Sequence, residues 1–268
     1  MVNRCESLMD VRYATEPGTL GYPNEDYVVC GPDWVAVFDG ATAPAGVDSG
    51  CVHDVPWLVR RLASAVAARM PLAGVPLSGT SAPGMPLDEL LAAAITDLRG
   101  MHGGACDLAN PDSPSATVSL CRVTGTTLEY LALADSPIAV WDPRDGVRVF
   151  RDDALDHLPG ERPYTLDLVR AMRNKPGGFW VASTVPEAAY HAVRGTVELG
   201  PGSELAVLTD GASRFAEMFG HSWESLFSLL REAGPRQLIA AVRGLEAESP
   251  PSHGKPHDDA TVVHVLPL

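Results

Sequence analysis

The sequence predicts an α+β fold. Three observations point to it. Apolar runs of strand length recur between turn residues, and two longer segments carry the three-and-four spacing of helices. The helices come in groups between groups of strands, which leaves few βαβ crossovers. No internal repeat and no shift of composition divides the chain, so residues 1–268 are expected to form one domain.

The elements follow in order. A first strand carries Arg12. Tyr27–Cys30 and Trp34–Phe38 flank Gly31-Pro32-Asp33, a turn-forming triplet that makes them a hairpin. Val55, Leu58, Val59, Leu62 and Val66 share one helical face, and Leu87, Leu90, Leu91, Ala94, Ile95 and Leu98 share another. Between these helices Pro71–Pro86 is rich in Pro, Gly and Ser and reads as a loop; Gly100–Pro114 reads as a second loop. Strands are expected at 116–123, 127–133, 137–142 and 147–150, with Asp145-Gly146 as a plain hairpin turn. Residues 151–180 are less regular, with a short helix near 165–173. Helices are expected at 185–193, 222–233 and 235–246, the last opened by Pro235.

Composition narrows the function. Hydrophobic residues make up 46% of the chain, enough for a sizeable core. A net charge of −14 argues against nucleic acid or an anionic membrane as partner. It also requires local positive charge, from a metal or an Arg, if the substrate is phosphorylated. The five cysteines, Cys5, Cys30, Cys51, Cys106 and Cys121, are odd in number and lack CxxC spacing, which fits a reducing cytoplasm better than a disulfide framework. Met1–Asp10 contains Arg4 and Glu6 and no apolar leader, and no apolar run approaches transmembrane length. A cytoplasmic protein is expected.

The chemistry concentrates in four acidic clusters at strand ends: Asn24-Glu25-Asp26, Asp39-Gly40, Asp210-Gly211 and Asp258-Asp259. Two open strands and two close them. Antiparallel pairing places the start of one strand beside the end of its neighbour, so all four can converge on one edge of a sheet. In the first hairpin, pairing Cys30 with Trp34 sets Glu25 opposite Asp39, whereas a two-residue turn sets Asp26 there. Either way two carboxylates face each other, which is unfavourable unless a cation lies between them. Oxygen-only ligands suit Mg²⁺ or Mn²⁺. Read singly, each cluster is equally a turn.

The order N-E-D, strand, D-G, then T-D-G, then D-D-A-T-V-V resembles the metal-dependent (type 2C) serine/threonine phosphatases. Ser115-Ala116-Thr117 resembles that family's G-T-T strand, and Leu133-Ala134-Asp135-Ser136 its G-D-S-R segment. The resemblance runs from about residue 11 to 266. It implies a four-layer αββα sandwich of two antiparallel sheets flanked by helices, with 151–180 as a flap beside the site. It also implies hydrolysis of phosphoserine or phosphothreonine in proteins by a hydroxide bridging two Mg²⁺ or Mn²⁺ ions. On that resemblance Asp39 bridges both ions, Glu25 and the Gly40 carbonyl complete one site, and Asp210 and Asp258 complete the other. Asp26 holds a metal-bound water, and Asp153 (or Asp152 or Asp156) stands where members with a third metal carry an Asp.

This chain departs from the family at the phosphate grip. Gly21 stands in the place of the family's phosphate-gripping Arg, Pro137 in the place of the Arg after D-S, and Ala41-Thr42-Ala43-Pro44 replaces a Gly-rich stretch. An intact cage with an altered grip leaves three functions open: a protein phosphatase, the same cage acting on a small phosphorylated molecule, or a low-activity binding module. Arg12 and Arg214 are candidate substrate cations, alongside Arg162 and Lys175. Arg214 reads equally as a solvated helix residue. His53 is either a general acid or a helix-start side chain, and His257 either supports the site or belongs to an approach loop.

Overall fold

β1 (Met9–Glu16) pairs along its whole length with β10 (Ala260–Pro267), so the two ends of the chain meet in one sheet. The computed structural model describes residues 9–43, 46–70, 84–251 and 255–267. The leader reading of the first residues, most of the expected Pro71–Pro86 loop, Pro44, Cys5, His253 and Gly254 lie outside the described residues.

The first sheet has the order β1-β10-β9-β6-β7, with β9 at Glu204–Leu208, β6 at Ile138–Asp142 and β7 at Gly146–Phe150. The second has the order β2-β3-β4-β5-β8, with β2 at Tyr27–Cys30, β3 at Trp34–Ala41, β4 at Ser115–Thr124, β5 at Thr127–Leu133 and β8 at Val193–Glu198. Every neighbouring pair is antiparallel.

Alternation along the strands builds the layers. Val35 and Val37 of β3 and Cys121 and Val123 of β4 face inward, against Ile138, Val140, Val207 and Val263 of the other sheet. Ala36, Phe38, Leu120 and Leu131 face outward, beneath α1 (Val55–Ala67) and α2 (Leu87–Met101). On the far side Ala206, Leu208 and Val262 pack under α5 (Trp223–Ala233) and α6 (Pro235–Glu248), with α4 (Asp210–Glu217) beside them. The result is a four-layer α+β sandwich. Among the described residues no helix is long and apolar enough to cross a membrane.

The structure differs from the sequence reading in one stretch. Residues 186–191 form a 3-10 helix, and the chain then turns into β8, where 185–193 predicted a helix. β8 is an edge strand whose only buried residue is Val197, so backbone pairing with β5 fixes it and no apolar pattern announces it. The Asp145-Gly146 pair sits in the β6–β7 turn, as read.

Residues 151–182 lie outside the two sheets. They contain a 3-10 turn at Ala154–His157 and α3 (Leu166–Met172), and they close a small core of Leu158, Phe179, Val181 and Ala134.

Candidate functional site

The β2–β3 hairpin sets the geometry. Gly31 N donates to Trp34 O at 2.9 Å, which makes a two-residue turn, and Tyr27 pairs with Phe38. One step further along this register sets Asp26, not Glu25, opposite Asp39. In the other sheet β10 runs antiparallel to β9, which brings Asp258-Asp259 beside Asp210. The acids therefore converge where the ends of two facing sheets meet, rather than on one sheet edge.

Hydrogen bonds lock the two pairs together. Thr209 Oγ1 donates to Asp26 Oδ2 at 2.9 Å, across the sandwich. Asp210 N donates to Asp39 Oδ2 at 3.4 Å. Asp259 accepts from Gly18 N at 2.7 Å and from Glu25 N at 2.6 Å, so it positions the N-E-D segment. Gly40 is required by close approach: a Cβ there would lie 2.3 Å from Val55 Cγ1 and 2.6 Å from Glu25 O.

The electrostatics are those of carboxyl groups packed together out of water. Burial, aided by Asp210 and Asp259, pushes the Asp26 carboxyl up to about 8, against hydrogen bonds from Thr261 and Thr209. Burial, with Asp135 and Asp258, pushes Asp210 up to about 7, although Arg214 opposes it. Burial raises Asp39 well above the carboxylate range, and Asp210 and Asp26 add to the shift. Burial also raises Glu25, whose Oε1 accepts from Thr42 Oγ1. Asp26 Oδ1 is buried and has no hydrogen-bond partner among the described residues. Lys255 Nζ lies 2.8 Å from Asp258 Oδ1 and brings one positive charge to the rim.

A cavity of about 320 Å³ opens over these acids. Asp39, Gly40, Asp210 and Asp258 form its floor; Leu155, Val169, Phe179 and Val181 form an apolar wall, and Arg173 and Lys255 contribute the cations. Burial lowers the Arg173 guanidinium to about 10, and its Nη1 donates to Pro111 O at 2.6 Å.

Several sequence-predicted residues lie elsewhere. Asp153 is not brought to the floor. The 3-10 turn directs it outward, where it pairs with His157 at 3.1 Å. Its neighbour Asp152 is buried and receives Ala154 N at 3.0 Å and Ala134 N at 3.3 Å, and Asp156 pairs with Arg151 at 2.9 Å and with Arg162. Arg12 is exposed on β1, paired with Asp10 at 2.9 Å and in register with His264, away from the acids. Arg214 is buried: it donates to Glu246 at 2.6 Å and to Asp258 Oδ2 at 3.2 Å. His257 also binds Glu246, at 2.7 Å.

Four charged residues that line the cavity, Asp112, Asp135, Arg173 and Lys255, were not in the predicted site. Asp135 lines the cavity and is raised by burial, then by Asp156 and Glu217. Its signal was the Asp-Ser pair closing a strand, and Ala134 before it adopts φ 64, a left-handed conformation uncommon outside Gly. Arg173 gave no sequence signal, because only the packing of α3 brings it to the wall. Gly21, in the place of the family's Arg, has φ +88, with open space where a Cβ would stand.

A sequence model described as protein phosphatase 2C matches residues 19–243. No curated protein sequence matches the chain. Among solved structures, the serine/threonine phosphatase PstP/Ppp of Mycobacterium tuberculosis is 16% identical with a TM-score of 0.61, covering 96% of this chain and 97% of that one. The PstP catalytic domain in complex with 2 manganese ions is 17% identical with a TM-score of 0.56, covering 96% and 97%. PppA of Pseudomonas aeruginosa is 14% identical with a TM-score of 0.58, covering 98% and 99%. These likenesses carry the fold, and the family match over most of the sequence carries the descent: the chain belongs to the protein phosphatase 2C family.

Proposed function

We propose that this protein is a divalent-metal-dependent phosphatase that hydrolyses phosphoserine or phosphothreonine in proteins. The observation that carries the reading is Asp26 Oδ1, a buried acceptor without a partner among the described residues, set among carboxyl groups whose pKa values burial and mutual repulsion raise. Such a donor set fits a hard cation and is costly without one. The manganese complex of PstP adds support from a protein of the same fold.

On this reading Asp39 would be shared by two Mg²⁺ or Mn²⁺ ions, Glu25 and the Gly40 carbonyl would help hold one, and Asp210 and Asp258 would help hold the other. Bound ions supply Lewis-acid neutralisation of the phosphoryl charge and a lowered pKa for the attacking water. The chain's own residues do the rest. Asp26 Oδ1, a buried acceptor, would hold and orient a water by accepting its hydrogen bond. Arg173, with the apolar wall at its side, orients the phosphoryl group from above the acids. Hydrolysis of phosphopeptides and an aryl phosphate, with and without chelator, tests this directly. Turnover unaffected by thorough chelation contradicts it.

Gly21 favours the small-substrate alternative. It offers no cation, and an Arg placed there would have to adopt a left-handed backbone costing roughly 1–2 kcal/mol. Arg173 and Lys255 are the cations that line the cavity, and Lys255 is paired with Asp258. Arg173→Ala is expected to raise KM for an aryl phosphate roughly 10- to 100-fold with kcat little changed, the loss of a charge-assisted contact worth about 1.5–3 kcal/mol. An unchanged KM would remove Arg173 from the phosphate site.

Stability against pH gives a second test. Asp26 and Asp210 titrate near 8 and 7 when folded, against 3.8 unfolded, so the metal-free folded state binds more protons than the unfolded one. Their stabilising effect is full below the unfolded value and is lost as pH rises through the folded ones. In chelator the melting temperature should therefore fall progressively from about pH 4 to about pH 8 and level off above that. Excess Mg²⁺ should abolish that fall, because bound ions take over the protons' role. Equal slopes with and without metal would mean that the acids do not hold ions.

A further inference from the structure

A second cluster of donors lies apart from the acidic cage. Cys51 and His53 precede α1, and His102 and Cys106 follow α2. Cys51 Sγ is 3.2 Å from Cys106 Sγ, 3.6 Å from His53 Nδ1 and 3.6 Å from His102 Nδ1; Cys106 Sγ is 3.4 Å from His53 Nδ1. All four donor atoms lie within 4.8 Å of one another. A zinc ion bound at about 2.3 Å to sulfur and about 2.0–2.1 Å to nitrogen defines a tetrahedron with edges of roughly 3.3–3.8 Å. Four of the six separations lie at 3.2–3.6 Å, near that figure, and the other two lie within 4.8 Å.

We propose that Cys51, His53, His102 and Cys106 form a closed structural site for one zinc ion, coordinated by two thiolates and two imidazole Nδ1 atoms. Soft sulfur with imidazole selects Zn²⁺ over the Mg²⁺ or Mn²⁺ suited to the oxygen cage. The backbone is built around this arrangement. His102 caps α2, and Gly103 and Gly104 both take left-handed φ values, 64 and 81, which turns Cys106 back onto the histidine. Asp54 caps α1 and accepts from Trp57 N at 2.8 Å. The Trp57 indole stacks on His53 at 3.8 Å and meets His102 edge-on at 5.0 Å, so both imidazoles are held in place.

The ion ties together two segments that reach the catalytic cavity. One follows Asp39-Gly40; the other continues to Pro111, Asp112 and Ser113 in the cavity wall. Asp107 N to Gly50 O at 2.8 Å and Asn110 Nδ2 to Asp48 O at 3.2 Å brace the same seam. The zinc therefore acts as a staple between the starts and ends of the two helices over the second sheet.

The test uses the full chain, purified without a metal-binding tag and under reducing conditions. Elemental analysis is expected to give about one zinc per chain. Exchange for Co²⁺ is expected to give strong tetrahedral absorption and a thiolate-to-cobalt charge-transfer band, which an oxygen cage cannot produce. Cys51→Ser and His102→Gln should lose the zinc and the band and melt several degrees lower, whereas Cys121→Ser, at a buried core thiol, should keep both. Wild-type protein without zinc and without the cobalt–thiolate band overturns the proposal, as does a Cys51–Cys106 disulfide in the reduced preparation. If a variant fails to fold, the wild-type cobalt spectrum decides. Because the spectrum reports sulfur ligation alone, the outcome is independent of whether the acidic cage binds metal or turns over phosphate.

Discussion

Asp39→Asn is expected to lower metal-dependent turnover by at least about 10²–10³-fold, the range seen when one preorganised electrostatic group is removed from a reacting centre. Asp39 faces Asp26 along the hairpin register, accepts from the backbone of Asp210 and forms the cavity floor. One side chain is thus in reach of both halves of the cage. Substituting an amide removes the charge and half of the acceptor capacity while keeping the shape, so the fold should survive. Calorimetric titration with Mn²⁺ should then show both binding events weakened together, which a ligand to a single ion would not do. The metal-free variant should also melt higher than metal-free wild type, since one repelling carboxylate is gone. Two unchanged binding events would sink the bridging assignment. Asp145→Asn, in the β6–β7 turn, should change neither turnover nor metal binding.

Much of this was legible in the sequence because acids at strand ends carry their own geometry. Once Tyr27–Cys30 and Trp34–Phe38 are strands, a carboxylate must face Asp39, and only the turn decides which one. Gly31 N to Trp34 O closes the shorter turn and selects Asp26. The convergence of Asp210 and Asp258 was legible for the same reason, but not that they arrive on a different sheet from Asp39. That depends on β3 and β4 burying one face against the other sheet and one under helices, and a strand apolar on both faces does not say which is which. The third-metal position was ambiguous among Asp152, Asp153 and Asp156, because rotation in an irregular turn is set by local hydrogen bonds such as Asp152 to Ala154 N. The four zinc-type donors were hidden differently. Cys-x-His and His-x3-Cys lie at the far ends of two helices, and neither half has a recognisable ligand spacing until α1 packs on α2.

Arg214 shows most sharply how a residue's role depends on partners distant in sequence, and Arg214→Ala is the second large effect expected. From sequence it stands three residues after Asp210-Gly211, a natural place for a phosphate-binding cation. In the structure its side chain is 8% exposed and its Nη1 donates to Glu246, whose side chain is 0% exposed. Glu246 also receives Arg243 at 2.9 Å and His257 at 2.7 Å. Burial alone would raise the Glu246 carboxyl, yet these donors hold it below the usual range. Removing Arg214 leaves Asp258 without one of its guanidinium donors and strips a principal partner from a buried carboxylate, a change that costs about 3–5 kcal/mol in comparable pairs. At about 2–4 °C per kcal/mol for a domain of this size, the melting temperature should fall by roughly 10 °C. Arg214 also orients Asp258 at 3.2 Å, so the variant should bind Mn²⁺ more weakly while KM for an aryl phosphate, measured at saturating metal, stays close to wild type. Arg173→Ala should do the reverse, raising KM and leaving the melting temperature nearly unchanged. An Arg214→Ala protein that melts like wild type but has a raised KM would return this arginine to the substrate and make Glu246 a bystander.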